Sequence, residues 1–313
     1  MKISSLFLVL AVLFSSCSED DDNTPPIEQP PVTETETQAV LGMSHTLSTA
    51  TFEDSYTTLQ SSIAANENIG IVAEVNHTTN AASVELPLNS TQIIFFGNPN
   101  LGTPLMQENQ LAGLDLPQKI LVYENSVEEV FLGFNNTNYL SARHGLEGVA
   151  TLPMIENALT NLSTGASGGE LLVPESSMPT LGEGIVTKTS SNTFEDTYSI
   201  LQMTIDANPN LSIVAEVDHA ANAMGINLEL NPTRLIIFGN PNLGTPLMQN
   251  QQSIGLDLPQ KMLVWEDAEN VVHVSYNDPA FLADRHNITE STETLASITA
   301  ALDTISNAAI TDI

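Results

Sequence analysis

The sequence predicts an α+β protein made of two tandem copies of one small domain, each a sandwich with helices packed on one mainly antiparallel sheet. The first supporting observation is a repeat, because the twelve residues FGNPNLGTPLMQ occupy positions 96–107 and again 238–249. The second is that a shift of 142 residues aligns positions 52–144 with the second half without a gap, and 21 of the 27 residues at 98–124 are identical. The third is that each half alternates strand-like and helix-like segments in the order β-α-β-α-β-α-β-β-α-α, a mixture that favours helices packed on one sheet.

A repeat of this length indicates a duplicated domain rather than a solenoid. The predicted organisation is a signal peptide at 1–16, a disordered tether at 17–39, a first domain at 40–164, a linker at 165–182 and a second domain at 183–313. The tether is acidic and then rich in Pro and Thr without apolar periodicity. The linker is rich in Gly, Ser and Pro, which is typical of a connection between domains.

The first half of each domain is predicted from helix caps and apolar periodicity. In the first copy a short strand at 40–45 precedes a helix capped by Thr51, whose apolar residues recur at i, i+4, i+7 and i+11. The β-branched segment 69–75 alternates as a strand does. Asn76 is then a good N-cap for a short Ala-rich helix.

The duplicated stretch begins where a buried strand at 91–97 ends. Gly97 and the Asn98-Pro99 pair favour a turn. Thr103 is predicted to cap the helix that follows, with Pro104 at its first position, where a missing N–H costs nothing.

The second half of each domain is predicted to close with a hairpin and two helices. In the first copy the hairpin joins segments 116–124 and 128–136 around Asn125-Ser126. In the second copy Asp278 is the predicted cap of the next helix, with Pro279 at its first position. A final amphipathic helix follows in both copies.

The charge balance excludes one class of partner. The 313 residues include 7 Lys and Arg against 38 Asp and Glu, a formal net charge of −31. A surface this negative repels phosphate backbones, so nucleic acid is not an expected partner. Acidity also favours solubility, which requires no partner at all.

The N-terminus is typical of a secretory signal. Lys2 supplies a positive start, residues 3–14 form an apolar run too short to span a bilayer, and small residues precede Cys17, the single cysteine. The ending LFSSC resembles a bacterial lipobox, and the acidic run after it resembles the leader of outer-membrane lipoproteins of the Bacteroidetes group. We therefore expect secretion across the inner membrane and lipidation of Cys17. The lipid would make the outer membrane a partner, at its periplasmic or cell-surface face.

Longer motifs carry a resemblance to one family. The first copy contains NHTTNAA, FFGNPNLGTPLMQ, LDLPQKILVYE and NYLSARHGL, and the second contains DHAANAMGINLEL and closely related forms of the others. Both copies resemble the family called domain of unknown function 302 over about 100 residues each. The resemblance implies a compact α+β domain and no assigned activity. The family pattern places an acid-His pair at Asp218-His219, where the first copy has Asn76-His77.

Chemically scarce residues recur at equivalent positions of the two copies. Four of the seven basic residues and four of the six histidines match, although neighbouring exposed positions differ. Residues this scarce, retained twice, suggest a shared local role. The candidate ligand-binding residues are His77, Asn98, Asp115, Arg143 and His144 in the first copy and His219, Asn240, Asp257, Arg285 and His286 in the second.

The duplicated turn is the predicted place of this site. It leads to a helix N-terminus, whose free N–H groups can hold a carboxylate or phosphate, with Arg143 or Lys119 adding charge. We expect His77, His144 and Arg143 to form a pocket beside it. The alternative is structural, since Gly-Asn-Pro and Thr-Pro also fix a tight connection between a strand and a helix.

Several function classes remain open at this stage. A binding module for a small ligand or partner, without obvious catalysis, is favoured. An enzyme using His77 and His219 in acid-base chemistry, a metal site formed by His77, Asp115 and His144, and a purely structural envelope protein are the alternatives. The sequence contains no HExxH or paired CxxC motif, and it identifies no cofactor.

Overall fold

A computed structural model describes residues 39–174 and 177–311. The predicted signal peptide, Cys17 and residues 18–38 of the predicted tether lie outside the described residues.

Each copy forms one sheet. In the first copy the strands β1 to β6 are Met43–Leu47, Gly70–Asn76, Thr91–Gly97, Gln118–Glu124, Val130–Asn135 and Leu171–Leu172. In the second copy β7 to β11 are Ile185–Thr189, Ser212–Asp218, Thr233–Gly239, Gln260–Glu266 and Val272–Asn277. The strand orders are β2-β3-β4-β5-β1-β6 and β7-β11-β10-β9-β8, and every described pairing is antiparallel.

The helices follow the predicted order. In the first copy α1 to α5 are Phe52–Ala64, His77–Ala82, Pro99–Glu108, Thr137–His144 and Leu152–Ser167. In the second copy α6 to α10 are Phe194–Asp206, His219–Gly225, Pro241–Asn250, Pro279–Arg285 and Thr292–Ile310. A 3-10 helix precedes the central hairpin of each copy, at Gln110–Leu114 and Gln252–Leu256. The predicted α+β class and element order are confirmed.

Both faces of each sheet are buried. In β3, Ile94 and Phe96 point to one face and pack with the helices of their own copy. Ile93 and Phe95 point to the other face and form a second core with Leu235 and other residues of the second copy. Side chains alternate across a strand, so the apolar run IIFF is what a strand buried on both faces requires.

The two sheets therefore pack against each other through the faces that carry no helices. The shared core contains apolar residues from both copies: Ile93, Phe95 and Leu121 from the first, and Leu235, Ile237 and Leu263 from the second. Burying one such side chain stabilises the folded state by roughly 1.5–3 kcal/mol. The second copy is consequently part of the environment of the residues on this face of the first sheet.

Most predicted caps are present. The Thr51 side chain accepts from the Asp54 N–H, the Asn76 side chain from the Thr79 N–H, and the Asp278 side chain from the Ala280 N–H. Each cap satisfies one of the free N–H groups of the first helical turn.

The helix after the duplicated turn begins earlier than predicted. Asn98, not Thr103, is the N-cap of α3, and its side chain accepts from the Asn100 N–H. Pro99 occupies the first helical position and Pro104 lies inside the helix. The reason is that Asn98-Pro99 is also a cap followed by a favourable first-turn proline, so it supports helix as readily as a turn.

The segment predicted as a linker contains regular structure at its start. Helix α5 continues to Ser167, and Leu171–Leu172 forms the edge strand β6 beside β1. Within 39–174 and 177–311, no helix is both long and apolar enough to cross a membrane.

Candidate functional site

The first group of predicted residues forms a buried ionic cluster. Asp115 ends the 3-10 helix before β4, and its Oδ2 atom accepts from Arg143 Nη1 at 2.8 Å and bonds His144 Nε2 at 2.8 Å. Lys119 Nζ lies 3.7 Å from the other oxygen, Oδ1. Burial alone would raise the pKa of Asp115, but Arg143, His144 and Lys119 hold it well below its usual range. The carboxylate is therefore ionised at neutral pH.

The second copy repeats this cluster. Asp257 Oδ2 accepts from Arg285 Nη1 at 2.6 Å and bonds His286 Nε2 at 2.9 Å. His286 Nδ1 also lies 3.0 Å from Ser253 Oγ. Burial lowers the pKa of His286, and the Asp257 carboxylate opposes that shift only in part.

Each arginine also reaches the other copy. Arg143 Nη2 donates to Asn277 Oδ1 at 2.9 Å and its Nε donates to the Glu183 carbonyl at 3.0 Å. Arg285 Nη2 donates to Asn135 Oδ1 at 2.7 Å. We call the two sets, Asp115-Arg143-His144 and Asp257-Arg285-His286, the arginine clasps.

Aromatic rings complete the clasps. The Arg285 guanidinium carbon lies 4.1 Å from the ring centroid of Tyr139, a residue of the first copy. The Arg143 guanidinium carbon lies 4.9 Å from the ring of Phe281, the equivalent residue of the second copy. The arginines of the clasps make hydrogen bonds and ring contacts to the opposite copy, and these contacts join the two copies.

The second group of predicted residues lines two clefts. The first cleft is about 610 Å³ and is walled by the first copy, at the segments around Gly70, Asn98 and Pro117 and along α5. The second copy contributes Val217, His219 and Asn222. The second cleft is the reciprocal one, about 200 Å³, with walls from the second copy and with His77 and Asn80 from the first.

The histidine in each cleft is buried and incompletely bonded. His219 is 5% exposed and hydrogen-bonds the Gly113 backbone, while its Nε2 atom has no hydrogen-bond partner among the described residues. His77 is 4% exposed, bonds the backbone at Gly255 and Leu258, and likewise has Nε2 without a partner in the described part of the chain. Burial lowers the pKa of both imidazoles to about 4. Each ring is therefore neutral at pH 7, and Nε2 offers a lone pair because the other nitrogen carries the proton.

The structure divides the predicted three-residue pocket between two regions. His77 lines the second cleft, whereas Arg143 and His144 lie in a clasp. The duplicated turn does lie at a cleft, where Asn98 and Asn240 cap their helices. The histidine facing each turn comes from the other copy, which sequence spacing within one domain cannot indicate.

Several relevant residues lie outside the candidate set. Lys119 and Lys261 occupy equivalent positions of the repeat and both are buried, yet neither is among the candidate ligand-binding residues. The alternation of side chains along the strand does indicate this burial, because Lys119 shares a strand face with the apolar Leu121 and Tyr123. Gly70, a cleft wall, had no sequence signal at all.

A metal site was one alternative for His77, Asp115 and His144. The structure places His77 apart from the other two, as described above. Among residues 39–174 and 177–311, no group of three or more His, Cys, Asp or Glu side chains is arranged to hold a metal ion.

Comparisons with known proteins bear on the family and not on an activity. A fluoride-specific ion channel, FluC 1, from Brucella suis biovar 1 (strain 1330) is 51% identical over 78 residues, which is 25% of this chain and 31% of that protein. FluC 1 of Brucella abortus biovar 1 (strain 9-941) is 51% identical over 78 residues, covering 25% of this chain and 29% of that protein. The chain thus spans about a third of the length of these curated relatives.

One similar solved structure is the crystal structure of an uncharacterized conserved protein DUF302 from Bacillus stearothermophilus. It has a TM-score of 0.37 and 16% sequence identity, over 41% of this chain and 98% of that one. The sequence model of the family described as domain of unknown function DUF302 matches residues 43–162 and again 186–305. The chain therefore belongs to the DUF302 family and contains two tandem copies of its domain.

Proposed function

We propose that this protein binds a small, largely apolar ligand in the first cleft, where His219 accepts a hydrogen bond from the ligand. Two observations on one residue carry the proposal: His219 lines the first cleft, and its Nε2 atom is buried without a partner among the described residues.

The energetics favour a ligand with one hydrogen-bond donor. A buried acceptor without a partner costs about 1–3 kcal/mol, and a ligand hydroxyl or amide N–H at Nε2 would recover much of it. The other walls are mostly apolar, including Ile69, Leu101 and Ile155. A volume of about 610 Å³ lies within the range of roughly 300–1,000 Å³ typical of small-molecule sites.

Acid-base catalysis is less well supported than binding. An imidazole whose pKa is lowered to about 4 is a weak proton acceptor at pH 7, and an efficient general base has a pKa near the working pH. The same neutrality suits a passive hydrogen-bond acceptor.

The binding proposal is tested with a matched pair of probes. 1-Naphthol has an apolar body and one hydroxyl, whereas naphthalene lacks the hydroxyl. We expect saturable binding of one 1-naphthol per chain, followed by its fluorescence, and binding of naphthalene weaker by about tenfold, the equivalent of one hydrogen bond.

Histidine variants assign the site. His219→Leu should remove the preference for 1-naphthol over naphthalene, while the matched His77→Leu should retain it. An unchanged preference in His219→Leu, with circular dichroism showing an intact fold, would place the binding elsewhere and contradict the proposal.

We further propose that the protein acts as a lipid-anchored protein of the outer membrane. The apolar run at 3–14 and the small residues before Cys17 support this part. Expressed with its N-terminus, the chain should fractionate with membranes and incorporate a radiolabelled fatty acid. Cys17→Ser should abolish the label, and a soluble, unlabelled wild-type chain would exclude the anchor.

A further inference from the structure

We infer that Lys119 and Lys261 together hold one small inorganic anion, of halide size, between the two sheets. Their side chains are 2% and 3% exposed, and neither Nζ atom makes a hydrogen bond to any described residue. An ammonium group has three donors, so these are the two least satisfied cations in the described interior.

Strand geometry places both lysines in the layer between the sheets. Lys119 is two residues before Leu121 in β4, and Lys261 is two residues before Leu263 in β10. Residues two apart in a strand share a face, and both leucines belong to the core shared by the two copies. The two ammonium groups therefore enter the same layer from opposite sheets.

The buried charges in this layer do not balance. The buried acids of the described chain are Asp115 and Asp257, whereas the buried basic side chains are Arg143, Arg285 and the two lysines. Each aspartate already accepts a short hydrogen bond from its own arginine. When both lysines are protonated, two positive charges remain, and an uncompensated buried charge is strongly destabilising.

Further unpartnered donors belong to the same region. Asn135 Nδ2 and Tyr139 Oη are buried without hydrogen-bond partners among the described residues. Asn135 contacts Arg285, and the Tyr139 ring lies against the same arginine. Ammonium, amide N–H and phenol O–H groups are the donors that bind an anion.

Two unpartnered acceptors also lie nearby and are compatible with the anion. Asp115 Oδ1 lies 3.7 Å from Lys119 Nζ, and Asp257 Oδ1 is the equivalent atom of the second copy. One proton of the Lys119 ammonium can face Asp115, which leaves its other two for the anion.

Packing limits the size of the anion. Phe95 and Leu121, which share this layer, are fully buried. Interiors packed at ordinary density leave few spaces larger than one water molecule, so a monatomic anion fits better than phosphate or sulfate.

Deprotonation of one lysine is the competing way to reduce the charge. Burial, and then the charge of Lys119, lower the pKa of Lys261 to about 7, against the opposing pull of Asp257 and Asp115, while Arg143 lowers it further. A bound anion would reverse this tendency by favouring the protonated amine. The two possibilities differ in whether stability depends on halide.

The solution test uses the purified full chain in sodium bromide, chloride or fluoride, with sodium gluconate keeping the ionic strength constant. We expect Tm to rise by roughly 3 °C for each tenfold increase in free halide above its Kd, because the anion binds only the folded state. Lys119→Met and Lys261→Met should remove this dependence. Lys188→Met, which removes a partly buried lysine paired with the exposed Asp303, should retain it.

A crystallographic test does not depend on the variants folding. In wild-type crystals soaked in sodium bromide, an anomalous peak is expected within hydrogen-bonding distance of both Nζ atoms. The proposal would be overturned by water at that position and a Tm that does not depend on halide. In that case Tm should rise from pH 7 to 10, because over this range the unfolded chain keeps a proton on Lys261 that the folded chain has lost. Halide dependence that survives in Lys119→Met would overturn it as well.

Discussion

The two clefts are built from equivalent residues, yet the first is about 610 Å³ and the second about 200 Å³. Each has the same Gly-Asn-Pro turn and a buried histidine supplied by the other copy. The difference therefore arises in the other residues that line the clefts. Only the first cleft has the volume of a typical small-molecule site.

Individual residues that line the clefts differ between the two copies. Gly70 of the first cleft corresponds to Ser212 of the second, and a Cβ atom at Gly70 would meet nothing within 4 Å. The histidines also differ in their neighbours. Asp218, beside His219, pairs with Arg234 at 2.7 Å, whereas the first copy has Asn76 and Gln92 at those positions.

The clasps show the opposite behaviour. Aspartate, arginine and histidine are identical in both copies, and their hydrogen bonds agree within about 0.2 Å. The duplicated domain has thus kept the residues that join its copies while its two clefts became different. This is the pattern expected of a symmetric scaffold with the proposed ligand site in the first cleft.

The largest predicted effect tests the symmetry of the scaffold. Asp115→Asn and Asp257→Asn should each destabilise the protein by about 3–5 kcal/mol, because each leaves a buried arginine without its carboxylate. Urea denaturation followed by circular dichroism measures both. The two losses should agree within about 1 kcal/mol.

An exposed ion pair provides the control for these variants. Asp303→Asn, which removes the exposed partner of Lys188, should leave the unfolding free energy close to that of the wild type. A large loss for one clasp and none for the other would show that the copies do not contribute equally, and the symmetric scaffold would be wrong.

The sequence predicted the fold well because its signals are local. The caps at Thr51, Asn76 and Asp278, and the alternation in the strands, act between residues close in the chain. The start of α3 was misplaced because Asn98-Pro99 is compatible with a turn and with a capped helix. Local signals therefore predict the helices and strands themselves and leave only their first and last residues uncertain.

The candidate site was harder to predict because its contacts join residues far apart in the chain. His219 faces the turn at Asn98, and Arg143 reaches Asn277. These contacts exist only because the two sheets pack against each other. The sequence alone does not show which face of each sheet contacts the other copy. The buried lysines gave a signal, alternation with leucine, that indicates burial but not a partner.

The second predicted effect is a loss of stability in acid. The pKa of His77 and of His219 is lowered from an ordinary value near 6.5 to about 4 in the folded state. Both rings are neutral in both states above pH 6.5, so their contribution is fully present there. Between pH 6.5 and 4 the unfolded chain binds protons that the folded chain does not, and each histidine should cost up to about 3 kcal/mol.

Comparison with non-titrating variants isolates this contribution from that of the many carboxylates. His77→Asn and His219→Asn should each flatten the dependence of the unfolding free energy on pH between 6.5 and 4, by similar amounts. If only one variant flattens the curve, the two clefts differ in how deeply they bury the ring as well as in volume.

The third predicted effect exchanges the walls of the clefts. Gly70→Ser should weaken binding of 1-naphthol about tenfold, equivalent to about 1.4 kcal/mol, because it adds a side chain at a residue that lines the first cleft. Ser212→Gly is the matched change in the second cleft and should leave that affinity unchanged. Isothermal titration calorimetry measures both, and equal effects of the two variants would place the probe outside the first cleft.

The smallest predicted effect concerns the residue before each histidine. Asn and Asp are comparable N-caps, so Asn76→Asp should change the unfolding free energy by less than about 0.5 kcal/mol. Asp218→Asn keeps the cap but removes the ion pair with Arg234, and exposed pairs of this kind contribute about 0–1 kcal/mol. The cost should therefore be below about 1 kcal/mol and should shrink in 1 M salt, since salt screens exposed charges. A salt-independent loss of several kcal/mol would mean instead that the Asp218 carboxylate acts on the buried His219 ring, and the acid-His pair would then be a functional difference between the two clefts.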